Sequence, residues 1–457
     1  MLKIEDSRLL QRLVRSIFPE ARLHRNTRRG SRFLLNNLAL HFRPTRVPRE
    51  TLRFSLTWGL GGMAATLVLL QVGTGVLLKF FYVPTPAAAY ASVQSIIFDV
   101  PFGRLVRNLH HWCAHLLVVA AILHMLRGFF TGAFHPPRQF NWIIGLSLLC
   151  MVLLANFTGY LLPWDQLAYW AVTVSTGMLD YVPIVGAHIQ AMIRDGTEIG
   201  PRTLQVFFGL HTAVIPAVLL GLMAFHFWRV RKAGGLVIPR RPGRPPVDKP
   251  LRVPSVPDLL MREIVTALAL IAVVMLVSAT FDAPLTGQAN PGLSPNPTRA
   301  PWYFAGLQEL LLHFHPVFAV CVIPGLLACG LLAIPYLIYD VDTGGIWFAS
   351  RNGRITAGIA ALAGAVLTLL LVLADEKLAS SAFSIDGLPS MVRTGLIPTM
   401  ALATAIAAFL LMMKKWFSIS RNEAVQAAFV LILTGYGMLT FIGIWFRGPG
   451  MVLATAW

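Results

Sequence analysis

Apolar runs long enough to cross a bilayer recur near residues 54–82, 105–131, 141–163, 204–230, 263–281, 317–340, 355–374, 395–413 and 424–446. Each is close to the ~20 residues that a helix needs to span the hydrocarbon. The pattern predicts an all-α fold, a polytopic transmembrane bundle of about nine helices. Ahead of the first run, Leu9, Leu10, Leu13, Val14, Ile17 and Phe18 repeat at helical spacing among Arg8, Arg12 and Arg15. That spacing predicts an amphipathic helix, lying either on the membrane surface or against a partner subunit.

Charge adds an orientation. Only 13% of the 457 residues are charged, yet the formal net charge is +18. An excess of that size suggests nucleic acid, but its placement argues against it. Thirteen Lys/Arg lie in residues 1–53 and nine more from Arg229 to Arg262, both beside apolar spans. Basic segments so placed mark cytoplasmic loops. The N-terminus and residues 231–262 are therefore expected on the cytoplasmic side of a bacterial-type inner (plasma) membrane, with the loop between the first two runs, 164–204, 282–316 and 375–394 outside. The Pro/Arg-rich stretch 238–257 divides the chain into an arm (1–53), a four-helix domain (54–230), a basic linker (231–262) and a C-terminal transmembrane domain (263–457). The polar start predicts no cleavable signal peptide. Cys113, Cys150, Cys321 and Cys329 form no C-x-x-C pair, which argues against c-type haem attachment, an iron–sulfur cluster or structural zinc. All four are expected to be small core residues without disulfides.

Histidine is costly within a bilayer and marks function there. The second run holds His110 and His124, fourteen apart, and the fourth holds His211 and His226, fifteen apart. These separations correspond to ~21 and ~22 Å, and both pairs return to within roughly 40–60° of one helix face. The two helices are separated by one other, so they run in the same direction. His110 is then expected opposite His211 near the outer face, and His124 opposite His226 near the inner face. Paired neutral imidazoles suit the axial positions of a low-spin haem and leave no site open for a substrate. Two stacked non-covalent b haems in a four-helix core are the expectation. Gly61 and Gly75 repeat the fourteen-residue interval, as do Gly145 and Gly159, which gives a flat macrocycle room near the backbone. Arg107 and Arg127 are expected to meet haem propionates, or else to be snorkelling interface residues.

The segments RNLHHW (107–112), ILHMLRG (122–128), TGYLLPWDQLAYWAV (158–172), GLHTAVIPAV (209–218) and MAFHF (223–227) resemble the cytochrome b family of bc-type complexes. The likeness runs from about Val47 to Phe304. The fifteen-residue interval and the PWDQ segment resemble the chloroplast and cyanobacterial branch, while the long C-terminal half resembles the mitochondrial and proteobacterial arrangement. The resemblance implies a quinol-oxidation site near the outer haem, with Trp302 and Tyr303 in its wall. Pro301 stands where the family has a proton-accepting glutamate. Glu309 is the nearest substitute, followed by His313 and His315. The resemblance also implies a quinone-reduction site at the inner face, near Arg231, Lys232, Asp258, Arg262 and Glu263. Gly59 occupies the position of the chloroplast-type haem-attaching cysteine, so no covalent haem is expected. The implied substrate is menaquinone or ubiquinone. The implied partners are a Rieske-type iron–sulfur protein, a c-type cytochrome and a second copy of the complex.

Two other readings remain. A di-haem anchor of another quinone-linked dehydrogenase or reductase usually lacks PWDQ and the Trp-Tyr loop. A cofactor-free transporter places polar residues at broken helices near the midplane, whereas these histidines lie toward the ends of long runs.

Overall fold

The computed structural model describes residues 46–194, 196, 198–239, 250–340, 343–348, 350–378 and 388–454. The expected amphipathic helix over residues 9–18 and much of the basic linker fall outside this set. The first half contains α1 (Leu60–Lys79), α2 (Ala89–Phe98), α3 (Gly103–Phe130), α4 (Gln139–Tyr160), α5 (Gln166–Gly177), α6 (Gly186–Ile193) and α7 (Pro201–Lys232). The second contains α8 (Asp258–Thr280), α9 (Trp302–His313), α10 (Phe318–Tyr336), α11 (Arg351–Leu378), α12 (Met391–Phe417) and α13 (Arg421–Trp445). Among the described residues nine of these helices are long and apolar enough to cross a membrane, one for each apolar run.

The remaining four, α2, α5, α6 and α9, are too short to span, and all four lie in segments expected to be outer loops. Their length explains why they escaped the pattern. Each is mostly apolar but only eight to twelve residues long, so it packs against the ends of the bundle instead of crossing it. One further element is a short antiparallel ribbon. Arg46–Pro48 pairs with Arg252–Pro254, Val47 opposite Val253, and both strands read Arg-Val-Pro. It ties the arm to the linker. Arg262 adds a hydrogen bond to the Leu52 carbonyl (2.9 Å).

Between helices in lipid, close packing replaces the hydrophobic drive. The contact of α11 with α13 shows how. A Cβ on Gly364 would lie 2.2 Å from Thr434 Oγ1 and 2.4 Å from the Leu431 carbonyl oxygen, so only glycine allows the crossing. α13 also packs across α9, where Gly443 meets the Ala305 carbonyl. The cysteines depart from expectation. Cys113 is buried and Cys321, which donates to the Tyr181 carbonyl, is half-buried, but Cys150 and Cys329 are exposed. A membrane-spanning run is apolar all round, so an apolar neighbourhood in sequence does not separate core positions from lipid-facing ones.

Candidate functional site

The four intramembrane histidines meet in two pairs. The His110 and His211 rings are 6.1 Å apart between centroids and inclined at 78°. Those of His124 and His226 are 6.4 Å apart at 73°. An imidazole nitrogen binds a metal at about 2 Å, so two rings gripping one metal from opposite sides have centroids roughly 6 Å apart. The hydrogen bonds of the first pair leave the right atoms for that task. Thr74 donates its hydroxyl proton to the Leu70 carbonyl (2.7 Å), so its oxygen accepts from His110 Nδ1 (2.9 Å). His211 Nδ1 donates to the Ala155 carbonyl (3.0 Å). Protonated Nδ1 leaves Nε2 with the lone pair that a metal needs.

The unequal intervals on α3 and α7 have a structural cause. Leu210–Val214 forms a π turn that contains His211, with Pro216 just beyond it. A π bulge takes up one extra residue. The fifteen-residue interval on α7 therefore orients its histidines as fourteen do on α3. The run is continuous but not regular, contrary to the plain helix expected there.

The four glycines sit behind the imidazoles. A Cβ on Gly75 would lie 3.2 Å from His110 Cε1, on Gly61 3.0 Å from His124 Cε1, on Gly159 2.5 Å from His211 Cε1, and on Gly145 3.8 Å from His226 Cε1. Each ring thus rests against a gap in the neighbouring helix. The two arginines differ. Arg127 is buried and donates Nε to the Leu56 carbonyl (2.7 Å), while its Nη2 is buried without a hydrogen-bond partner among the described residues. An orphaned guanidinium donor three residues beyond His124 fits an anionic group such as a propionate. Arg107 instead donates to the carbonyls of Ala283 (2.8 Å) and Pro284 (2.7 Å). It holds the segment after α8 in place.

That segment, residues 281–301, lies across the His110 end and is fastened by the PWDQ sequence. Asp165 caps α5 through Ala168 N (2.9 Å) and accepts from Thr286 N (2.9 Å). Gln166 accepts from Asn290 N (2.6 Å) and donates to the Leu293 carbonyl. Asp282 is bonded by Arg104 and Asn108, which hold its carboxyl down to about 2. At the far end Arg299 donates to the carbonyls of Ile444 (3.1 Å) and Arg447 (2.5 Å), and Asn296 accepts from Gly450 N (2.5 Å).

Trp302 and Tyr303 open α9, with Pro301 as its N-cap. Trp302 Nε1 donates to His115 Nδ1 (2.8 Å) on α3, and the His115 ring lies 4.6 Å from that of His111. Tyr303 is buried in the cluster formed by α1, α3, α4 and α8, beside Phe304, which meets Phe157 of α4. Burial pushes the Tyr303 hydroxyl up, so it stays protonated, and it has no hydrogen bond among the described residues. Glu309 is fully buried and meets Arg447, just beyond α13, whose Nε reaches its two oxygens at 2.9 and 3.1 Å. His313 bonds Glu309; His315 instead accepts from Val317 N (3.3 Å), away from the pair. At the other end, the Lys232 ammonium lies over Trp228 and Arg231 is half-buried. Glu263 follows Arg262 near the ribbon. Gly59 has φ 66° and a Cβ there would lie 2.9 Å from Thr266 Cγ2, so the position is closed to a larger side chain.

His111, His115, Asp375 and Arg447 went unnoticed in the sequence. The i, i+4 spacing of His111 and His115 was a visible signal. Asp375 and Arg447 gave none, because only the fold brings α9, α11 and α13 together.

Comparison with known proteins gives the family. The family model described as cytochrome b/b6/petB matches residues 49–234. The cytochrome b6 of Heliobacterium modesticaldum is 40% identical over 188 residues, 41% of this chain and 87% of that protein. The cytochrome b6 of Tupiella akineta is 44% identical over 175 residues, 38% of this chain and 81% of that protein. A solved hyperthermophilic respiratory complex III has a chain with the same fold, at TM-score 0.63 and 22% identity, covering 89% of this chain and 98% of its own. The chain belongs to the cytochrome b/b6 family, the haem-b-binding membrane subunits of bc-type oxidoreductases.

Proposed function

We propose that this chain holds two non-covalent b haems, one between His110 and His211 and one between His124 and His226, and oxidises quinol at the His110 end. The observation that carries the reading is the pair of facing imidazole couples, each ring backed by a glycine. Bound there, the haems supply one-electron transfer along the membrane normal. Gly61, Gly75, Gly145 and Gly159 set the ring positions, and Arg127 offers Nη2 to a propionate. Arg107 acts on the loop that covers the quinol pocket. Trp302 and Tyr303 line that pocket, with the Tyr303 hydroxyl free to donate to a quinol oxygen. Glu309 takes up the proton for which the family uses the glutamate at position 301.

The His124 end is the proposed quinone-reduction site, where Arg231, Lys232, Arg262 and Glu263 supply charge beside the inner pair. The orientation follows the basic segments, with the N-terminus cytoplasmic in a bacterial-type inner membrane. A Rieske-type iron–sulfur protein, a c-type cytochrome and a second copy of the complex are the proposed partners, with menaquinone or ubiquinone as the quinone. A nucleic-acid role has no support in this arrangement.

Single substitutions test the pairing. His124→Leu and His226→Leu should each remove the same haem from redox difference spectra and spare the other. Loss of both haems from each variant, or of neither, would refute the pairing. A pyridine-haemochrome assay that found no haem would return the chain to the transporter reading.

A further inference from the structure

A buried ionic cluster joins α9 to the C-terminal helices. Arg447, fully buried, is bonded to both oxygens of Glu309, to Glu376 and to the Met451 carbonyl (2.9 Å). Glu309 has no exposed side-chain surface. His313, one turn further along α9, lies between two carboxylates. Its Nε2 is 3.3 Å from Glu309 Oε1, and its Nδ1 is 2.7 Å from Asp375 Oδ2. The side chains of Glu309, His313 and Asp375 are 0%, 10% and 52% exposed, so the chain of contacts runs from the interior to the surface.

We propose that Glu309, His313 and Asp375 form a proton exit path, the last part of it built by α11. The proposal rests on the quinol-site reading above. Trp302 and Glu309 share one face of α9, about 10 Å apart along the axis. Between them lies Gly306, with Thr440 and Tyr436 of α13 packed against it. A proton that reaches Glu309 passes from its oxygen to His313 Nε2. The imidazolium then releases its Nδ1 proton to Asp375, which gives it to water, and rotation of the ring restores the starting tautomer. No electron moves in these steps.

The groups that face His313 are Glu309 on its own helix, Asp375 on α11, and Arg447 beyond α13, whose Nη2 is 3.4 Å from Nε2. Glu376 balances Arg447 from the far side. Burial pushes the His313 imidazole down, and the hydrogen bonds to Glu309 and Asp375 more than reverse this, so its net shift is upward. Arg447 lacks a lone pair to accept a proton and positions Glu309.

The test uses the intact complex in native membranes and measures quinol oxidation against pH. The path accepts protons when His313 is neutral, so turnover rises as pH passes its pKa. Asp375→Asn removes one of the carboxylates that raise that pKa. The acid limb should then move to lower pH by about one pH unit, and the plateau rate should fall about tenfold, with both haem signals intact. Asp375→Glu should restore the rate and the profile. A wild-type profile in Asp375→Asn overturns the path. So does a lower rate with an unmoved acid limb, which is the mark of a structural role. Failure of the wild-type complex to reduce its haems with quinol would refute the quinol-site reading instead.

Discussion

Gly159 and Gly145 occupy matching places on α4, but their tolerances differ. A methyl on Gly159 would sit 2.5 Å from His211 Cε1, whereas one on Gly145 would be in ordinary contact with His226 at 3.8 Å. Overpacking of this kind costs about 1–3 kcal/mol when the neighbours have to move. Gly159→Ala should therefore shift or abolish the signal of the haem on the His110–His211 pair, and Gly145→Ala should leave both spectra unchanged. Tyr303 offers a second comparison. The side chain is buried and its hydroxyl makes no hydrogen bond among the described residues, so Tyr303→Phe removes only the donor proposed for the quinol. Quinol oxidation should fall, while haem reduction from the opposite side persists in the same membranes. Equal loss of both activities would indicate misfolding. The residues that bear on these tests were partly visible in the sequence. The histidines stood out because a polar ring is rare in an apolar run. The pairing of each glycine with one particular imidazole was not visible, because it depends on how far neighbouring helices slide past one another.

At the scale of the element, the π turn at Leu210–Val214 sets the register of α7. Deleting Thr212 should convert it to a regular turn and keep both imidazole pairs, with both haems retained. Inserting an alanine between Leu219 and Leu220 should instead turn His226 by about 100° relative to His211 and cost at least one haem in the difference spectrum. Hydropathy located every spanning helix because it reports the hydrocarbon thickness. It missed α5 and α9, which lie at the ends of the bundle and are held by side-chain bonds. Asp165 is a case in point, since its two oxygens serve the α5 cap and the loop together. The sequence motif marked the segment, but its role as a fastener appears only with the loop folded back on it.

Across the whole molecule, the Glu309–Arg447 pair joins α9 to the end of α13. Removing one member of a buried ion pair strands the other, at a cost of about 3–5 kcal/mol, whereas an apolar replacement of both is often neutral. Arg447→Leu should lower the thermal midpoint of the complex. Adding Glu309→Leu should recover most of it without recovering quinol turnover, separating the fastening role of the pair from its chemical one. The loop of residues 281–301, proposed to cover the quinol, is tied to α5 by Asp165 and Gln166 and to the end of α13 by Arg299 and Asn296. It is a strap fastened at two separate places, and it leads directly into Trp302 and Tyr303, so the position of both depends on both anchors. If quinol binds beside Tyr303 as proposed, an inhibitor of that site would select resistant variants at Arg299, Asn296 or Gly450, which need not touch it, because slackening the strap lets Trp302 and Tyr303 shift.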